Sequence, residues 1–495
     1  MRQVQRSLIA MLLVLASAAA AVAAVYHLKQ RRDTRQEAAE QRARPFELEV
    51  DDVQHLTVAR DGQRIALERS DDGWRITAPV RDRADDTAVD SLLHAAAGLR
   101  LTTVFESGTE PDAASLQLSP PRAELLLETT SGAVGIHLGR RNPFDGRVYL
   151  RAGMRAEAAP ISMIDGATAA LLDKDLPDLR DRRLLSIAPH RATALEVRFA
   201  GTGEAAPSYA AIRNVGAAAT QPQNEPPTMQ WDDPWRLTAP LAAPADADTV
   251  NQLLQQLAGA SYDRVFSEEP TAPLSHYGLD PPQVAITVTA ADGAHTLEIG
   301  AAVTGDGTRR LARRGGQSAV LEIPERFVEG LKKTPFDLEE KRALTFRSDL
   351  VRQLKLKLDD GKLVVIERES SDSDVERWSL LAPRPAPAKS WRVSSLLFAL
   401  TNLKAKRYAA TGLDARVEEE KLAQYGLDRP RQTIVAFDAE QRELGALLIG
   451  TVSGEEAFVM RRGGDRVLVV ARSSVDELPH TVDELIEESE GGGDR

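Results

Sequence analysis

The sequence contains no cysteine. That excludes disulfides, thiolate metal sites and a cysteine nucleophile, and it leaves the redox compartment open. Aromatic residues are scarce, at 5% of 495. Basic residues are in deficit: 62 Lys/Arg stand against 74 Asp/Glu, for a net charge of −12. Residues 1–44 carry eight Lys/Arg and three Asp/Glu, so the rest of the chain is near −17. A body that acidic suits the phosphate backbone poorly, and no nucleic-acid partner is expected. The patterns GxGxxG, GxxxxGK(S/T), GxSxG and HExxH do not occur. None of the eight histidines lies three or four residues from another, so no helical metal pair exists. No catalytic residue, cofactor or metal site is expected.

Long apolar runs are also rare. One stands out, LIAMLLVLASAAAAVAAVYHL at 8–28, with no residue charged at neutral pH. At ~1.5 Å per residue it can just cross a bilayer core of ~30 Å. Arg2 and Arg6 precede it, so residues 1–28 read as a single-pass transmembrane anchor. The small residues Ala18–Ala24 also resemble a signal-peptidase site, although the run exceeds a usual signal-peptide core. Lys29, Arg31, Arg32 and Arg35 follow it and oppose export of the body. Residues 29–44 read as a charged juxtamembrane linker.

What the chain does contain is a repeat. WRITAP at 74–79, WRLTAP at 235–240 and WSLLAP at 378–383 each pair a Trp with a Pro five residues on: Trp74 and Pro79, Trp235 and Pro240, Trp378 and Pro383. Fifteen residues after each Trp stands Val89, Val250 or Val393, and then Leu92-Leu93, Leu253-Leu254 or Leu396-Leu397. Leu118, Leu279 and Leu427 follow, each three residues before Pro121, Pro282 or Pro430. The strand-like runs beyond them lead to IHLG, LEIG and LLIG, which end in Gly139, Gly300 and Gly450. This recurring order, with fixed offsets from the Trp to the Leu-Leu pair, predicts three tandem modules at 45–190, 191–348 and 349–488. A mobile insertion is expected at about 214–230, and a disordered acidic tail at 489–495.

Each module reads as an opening hairpin, a Trp strand, an amphipathic helix, further strands and a closing helix. Asp61-Gly62 between VQHLTVAR and RIALERS is a strong turn signal, and Asp86 and Asp248 are the expected helix caps. Strands joined by short turns predict a mainly antiparallel sheet with about two helices per module. The expected class is therefore α+β, preceded by the transmembrane helix.

HYGLDPP at 276–282 and QYGLDRP at 424–430 invite a ligand-loop reading. Module one carries SLQLSPP at the same place, so Tyr277, Gly278 and Asp280, like Tyr425, Gly426 and Asp428, correspond to Leu116, Gln117 and Ser119. Only Leu and the final Pro persist, which suits a structural turn: Gly supplies positive φ and Asp accepts from nearby amides. The tryptophans read as core, and Arg313-Arg314 and Arg461-Arg462 as exposed turn residues. LRDRRLLSI (179–187) and LEEKRALTF (338–346) read as connectors between modules. Module three has VDELIEES instead.

The anchor, the W-x4-P block, the YGLD-x-P turn, the strand ending in I-G and the D-x-R/K-R-x-L connector together resemble the bacterial family DUF4340. The resemblance covers nearly all of residues 1–488. It implies a single-pass protein of the inner membrane with an extracytoplasmic, periplasmic body, often encoded beside ABC-type export components. The implied role is a non-enzymatic, membrane-tethered accessory or scaffold with protein partners in such a complex. Binding of an envelope polymer, peptidoglycan or polysaccharide, is the alternative, followed by a carboxylate-based hydrolase.

Overall fold

A computed structural model describes residues 44–105, 111–201, 208–213, 235–305, 307–369, 376–413 and 419–487. The chain divides into two compact units, Met1–Arg183 and Leu184–Arg495. The first contains one sheet and the second contains two.

In the first sheet the strands are β1 (Val53–Arg60), β2 (Gln63–Ser70), β3 (Gly73–Ala78), β4 (Asp82–Arg83), β5 (Thr103–Val104), β6 (Ala123–Thr129), β7 (Gly132–Arg141), β8 (Val148–Gly153) and β9 (Ser162–Ile164). Their spatial order is β4-β3-β2-β1-β6-β7-β8-β9-β5, with every pairing antiparallel. The second and third sheets repeat this nine-stranded order strand for strand. Helices are α1 (Asp86–Ala97), α2 (Gly166–Leu172) and α3 (Leu176–Leu179) in module one. Module two has α4 (Ala247–Gly259), α5 (Glu325–Leu331) and α6 (Pro335–Leu338). Module three has α7 (Ser390–Asn402), α8 (Glu419–Ala423) and α9 (Arg472–Asp476).

The expected fold class needs correction. Three mainly antiparallel sheet modules are present, but a leading transmembrane helix is not part of the described fold. Among the described residues no helix is long and apolar enough to cross a membrane. The run at 8–28 and all but Arg44 of the linker at 29–44 lie outside the described residues, as do the insertion at 214–230 and the tail at 489–495. Among the described residues each module has three α-helices, one of 12 or 13 residues and two shorter, rather than about two.

Local chemistry explains most elements. Asp61 and Gly62 both take positive φ (49° and 77°), as a two-residue type I′ hairpin requires. In α1 the Val89, Leu92, Leu93 and Ala96 positions face the core, at helical spacing. The caps lie earlier than expected. Asp85 accepts from Ala88 N at 3.1 Å and Asp246 from Thr249 N at 3.0 Å. Asp86 instead accepts the Trp74 amide at 2.7 Å, tying the helix to β3.

Module three is closed by a charged contact. Arg431 donates to Asp359 at 2.6 Å, and His480 Nδ1 lies 3.0 Å from the same carboxylate. Partial burial works to raise the Asp359 pKa, but Arg431 and His480 outweigh it and hold it below the usual carboxylate value. A depressed folded-state pKa stabilises above the unfolded value and is lost as pH falls through the folded one. Acid unfolding of Asp359→Asn should therefore be less pH-dependent below about pH 4 than wild type. Circular dichroism across that range checks this.

Candidate functional site

The recurring tryptophans are core residues: Trp74, Trp235 and Trp378 are 4%, 1% and 2% exposed. Trp235 Nε1 donates to Asn251 Oδ1 at 3.3 Å, and the Arg213 guanidinium lies 4.9 Å from its ring centre. Pro79, Pro240 and Pro383 each follow a cis peptide bond that ends the Trp strand. The shared aromatic row that would stack on sugars is absent at these positions.

The YGLD segment is likewise part of the framework. Leu274–Tyr277 form a 3-10 turn ended by Gly278 at φ 67°. Gly426 has φ 68°, and Gln117 holds the same left-handed conformation at φ 56°. Leu118, Leu279 and Leu427 are buried, and Leu118 and Leu279 bridge to Pro121 and Pro282. Tyr277 is buried edge-on to Phe266, whereas Tyr425 is half-buried and donates to Ala409 O at 3.3 Å. The expectation for the aspartates is corrected. Asp280 is exposed, and among the described residues neither it nor Asp428 accepts a hydrogen bond from the turn. Because a left-handed non-glycine residue costs about 1–2 kcal/mol and glycine has an entropic penalty, Gln117→Gly should stabilise module one by up to about 1 kcal/mol. Urea unfolding checks this.

The I-G glycines explain themselves through the same turn. A Cβ on Gly139, Gly300 or Gly450 would sit 2.4, 2.1 or 2.1 Å from the carbonyl oxygen of Leu116, Tyr277 or Tyr425. The turn's backbone lies directly on that strand position, so only glycine fits.

The connectors have two halves. The first half closes its own module. Leu179 O and Leu338 O accept from the cap residues Asp85 N and Asp246 N, and Asp181 N and Glu340 N donate to Arg83 O and Pro244 O. Arg183 grips Asp181 and Arg342 grips Glu340 through paired guanidinium nitrogens. The second half belongs to the next core. Leu184 N donates to Ala260 O, Ala343 N to Leu403 O, and Lys341 O accepts from Ala405 N. Module three was expected to lack this element, yet Leu485 O accepts from Lys389 N and Glu487 N donates to Pro387 O. The first half therefore persists in VDELIEES.

The basic pairs differ from expectation in part. Arg313 and Arg314 end a strand (Arg309–Arg314) rather than occupying an exposed turn. Arg313 pairs with Glu298 at 2.5 Å, and Arg314 is buried over the Tyr262 ring. Arg461 and Arg462 are exposed.

A polar groove of about 690 Å³ lies in the second unit. The outer face of α4 lines one side with Asp248, Asn251, Gln252 and Gln255, and Lys341 and Lys404 line the other. Lys404 Nζ lies 3.5 Å from Asp248 Oδ2, and Asp246 at the rim is occupied as the α4 cap. Side-chain amides with one paired carboxylate can hold a hydroxylated or amide-bearing chain by hydrogen bonds. Among the described residues no group of three or more His, Asp or Glu is placed to hold a metal ion. No sequence motif announced this groove, because its residues come from a helix face, from Lys341 in a connector and from Lys404 in module three, 156 residues from Asp248.

No curated protein matches the chain. The family described as "Domain of unknown function (DUF4340)" matches at residues 74–208, 235–383 and 378–490. Each match begins on a module's tryptophan, and the first two run on into the opening strands of the next sheet. With three matches that span most of its length, the chain belongs to the DUF4340 family.

Proposed function

We propose that the protein is a non-enzymatic accessory or scaffold of a bacterial ABC-type envelope transport complex, with its body on the outer side of the inner membrane. One observation carries this reading. The residues common to the modules fill cores and shape turns, while equivalent exposed positions differ. Thirteen and twenty residues after the tryptophans stand Thr87 and His94, Asp248 and Gln255, and Trp391 and Phe398. One framework presenting three different surfaces suits simultaneous contact with a large protein partner. Polymer binding would rest on the polar groove beside α4 alone, since the repeated tryptophans are buried.

Two measurements test it. Affinity capture of the full chain from native membranes should retrieve transport-complex subunits reproducibly. Capture of envelope polymer alone, or substrate turnover abolished by removing a carboxylate pair, overturns the scaffold reading. An alkaline phosphatase fusion after residue 348 should be active; an inactive fusion beside an active cytoplasmic reporter overturns the location.

A further inference from the structure

Module one carries a pocket of about 430 Å³ with apolar walls: Phe46 and Leu48 from the segment before β1, Val134 of β7, and Met154 just past β8. Its position follows from the repeated framework, and its shape from two departures in module one. Counted from the I-G glycines, Gly135, Thr296 and Ala446 are equivalent, and they face Gly153, Gly315 and Arg462 on the next strand. The residue that follows is Met154 in module one, and Gly316 or Gly463 in the others. Met154 is 81% exposed and stands on a longer loop, residues 154–161 with a 3-10 turn at Ala156–Ala158, against 315–319 and 462–466. The opposite wall differs as well. In module three Leu344 and Phe346, four and two residues ahead of a 3-10 turn, come within 3.1 and 3.3 Å of where a Cβ on Gly445 would lie. Val134 takes the place of that glycine, so Phe46 and Leu48 cannot come as close and the space stays open.

The rim carries charge of one sign. Glu47, Glu49 and Asp52 line the pocket and are exposed, and no Lys, Arg or His lines it. Counted from the 3-10 turn ahead of each sheet, their counterparts are Ser186, Ala188 and Arg191 in module two, and Thr345, Arg347 and Leu350 in module three. No acid recurs at these positions, so the charge belongs to the pocket and not to the framework. Among the described residues none of the three carboxylates has an ion-pair or hydrogen-bond partner. Arg69, which reaches this turn, is taken up by Asp51 and by Val50 O and Asp51 O. An occupant that brings cations relieves the repulsion among these acids, and one that brings carboxylates or phosphates adds to it. Fatty acids, phospholipid headgroups and anionic envelope polymers are therefore disfavoured. The volume lies near the lower end of ligand sites, about 300–1,000 Å³, which suits one bulky side chain and its adjoining peptide units. The flexible thioether wall can adapt to that side chain.

We propose that this pocket docks a protein partner through a segment in which one bulky apolar side chain is flanked by lysines or arginines. The apolar side chain fills the space between Phe46, Leu48, Val134 and Met154 as the buried anchor. The flanking cations meet Glu47, Glu49 and Asp52 at the rim. The proposal rests on the reading of the protein as a scaffold for protein partners, and it gives the chemistry by which one of them is recognised.

The chain has six methionines, so methyl-labelled methionine in the full chain gives a direct magnetic-resonance reporter at Met154, assigned through Met154→Leu. The probe is the end-blocked peptide Lys-Lys-Phe-Lys-Lys. It should shift the Met154 signal saturably, at a concentration at least about tenfold lower than Lys-Lys-Ala-Lys-Lys or Glu-Glu-Phe-Glu-Glu requires. Glu47→Gln, Glu49→Gln and Asp52→Asn together, all at exposed positions, should weaken binding at least about tenfold while circular dichroism shows the modules folded. The absence of a saturable shift overturns the proposal. So does equal binding of the alanine peptide or the acidic peptide, or undiminished binding by the neutralised variant. A shift produced by decanoate and not by the peptide means that a lipid chain occupies the pocket, which overturns it as well. Affinity capture tests the scaffold reading separately: with transport-complex subunits captured and no peptide bound, the pocket assignment alone fails.

Discussion

Trp235→Ala should cost about 3–5 kcal/mol, the usual penalty for emptying a buried aromatic site. The ring is 1% exposed and sits in a core with Val250, Leu253, Leu254 and Leu257 of α4. The change removes this packing, the Nε1 bond to Asn251 and the Arg213 contact together. A loss that large takes a substantial share of the stability of a domain. Hydrogen exchange should show module two opening before module three, because Trp378 lies in a separate core. The connector couples them, since Glu340 N is bonded back to Pro244 O and Lys341 O forward to Ala405 N. Module three should therefore lose some protection near Leu403–Ala405, and less in its first hairpin. Trp391→Ala supplies the contrast: its exposed ring predicts a change within about 0.5 kcal/mol. Urea unfolding followed by far-ultraviolet circular dichroism separates the cases. A change below about 1 kcal/mol at Trp235 would contradict its place in the core.

The modular order was readable because side chains with large energetic weight recur in one order, at constant offsets from Trp through the Leu-Leu pair. Trp, the Val and Leu-Leu helix positions, and the Leu before Pro are each buried wherever they stand. Asp61-Gly62 was readable because few residue pairs adopt two consecutive positive φ values. The helix caps were misplaced by one or two residues because neighbouring aspartates compete. Asp85 caps α1 while Asp86 is taken by the Trp74 amide. The connectors were visible as motifs, but their action was not. It consists of main-chain hydrogen bonds, which accept Arg180, Glu339 and Ile486 alike at the bridging position. The same indifference hid the module-three copy inside VDELIEES. The groove beside α4 and the aromatic face of α7 escaped for another reason. Helical periodicity identified the buried stripe, and the outer positions share no residue type across the modules.

Gly300→Ala tests the one contact that gives the YGLD turn its repeated form. The added methyl carbon would lie 2.1 Å from Tyr277 O and 3.1 Å from both Gly278 C and Leu279 Cγ. The first neighbour is backbone, so no rotamer change relieves the clash. Nor can the turn simply lift away. Tyr277 and Leu279 are buried in a satellite cluster with Leu311 and Val320, and Leu279 N is bonded to Leu274 O. On the strand side, Gly300 lies in a ten-residue strand, Gly293–Ala302, directly after Ile299, which is paired on both sides. Overpacking of a core usually costs 1–3 kcal/mol, and a methyl driven against a fixed backbone carbonyl belongs at the upper end, about 3 kcal/mol. The local signature distinguishes this from general unfolding. Amide exchange at Gly278 and Leu279 should accelerate well before exchange in the α4 core. Gly450→Ala should reproduce the effect at Tyr425, where Thr451 N also bonds Tyr425 O at 2.8 Å and holds the turn down. Gly139→Ala should be the mildest of the three, because the oxygen there is 2.4 Å away. Wild-type stability in Gly300→Ala would mean that the turn does not rest on the strand in solution.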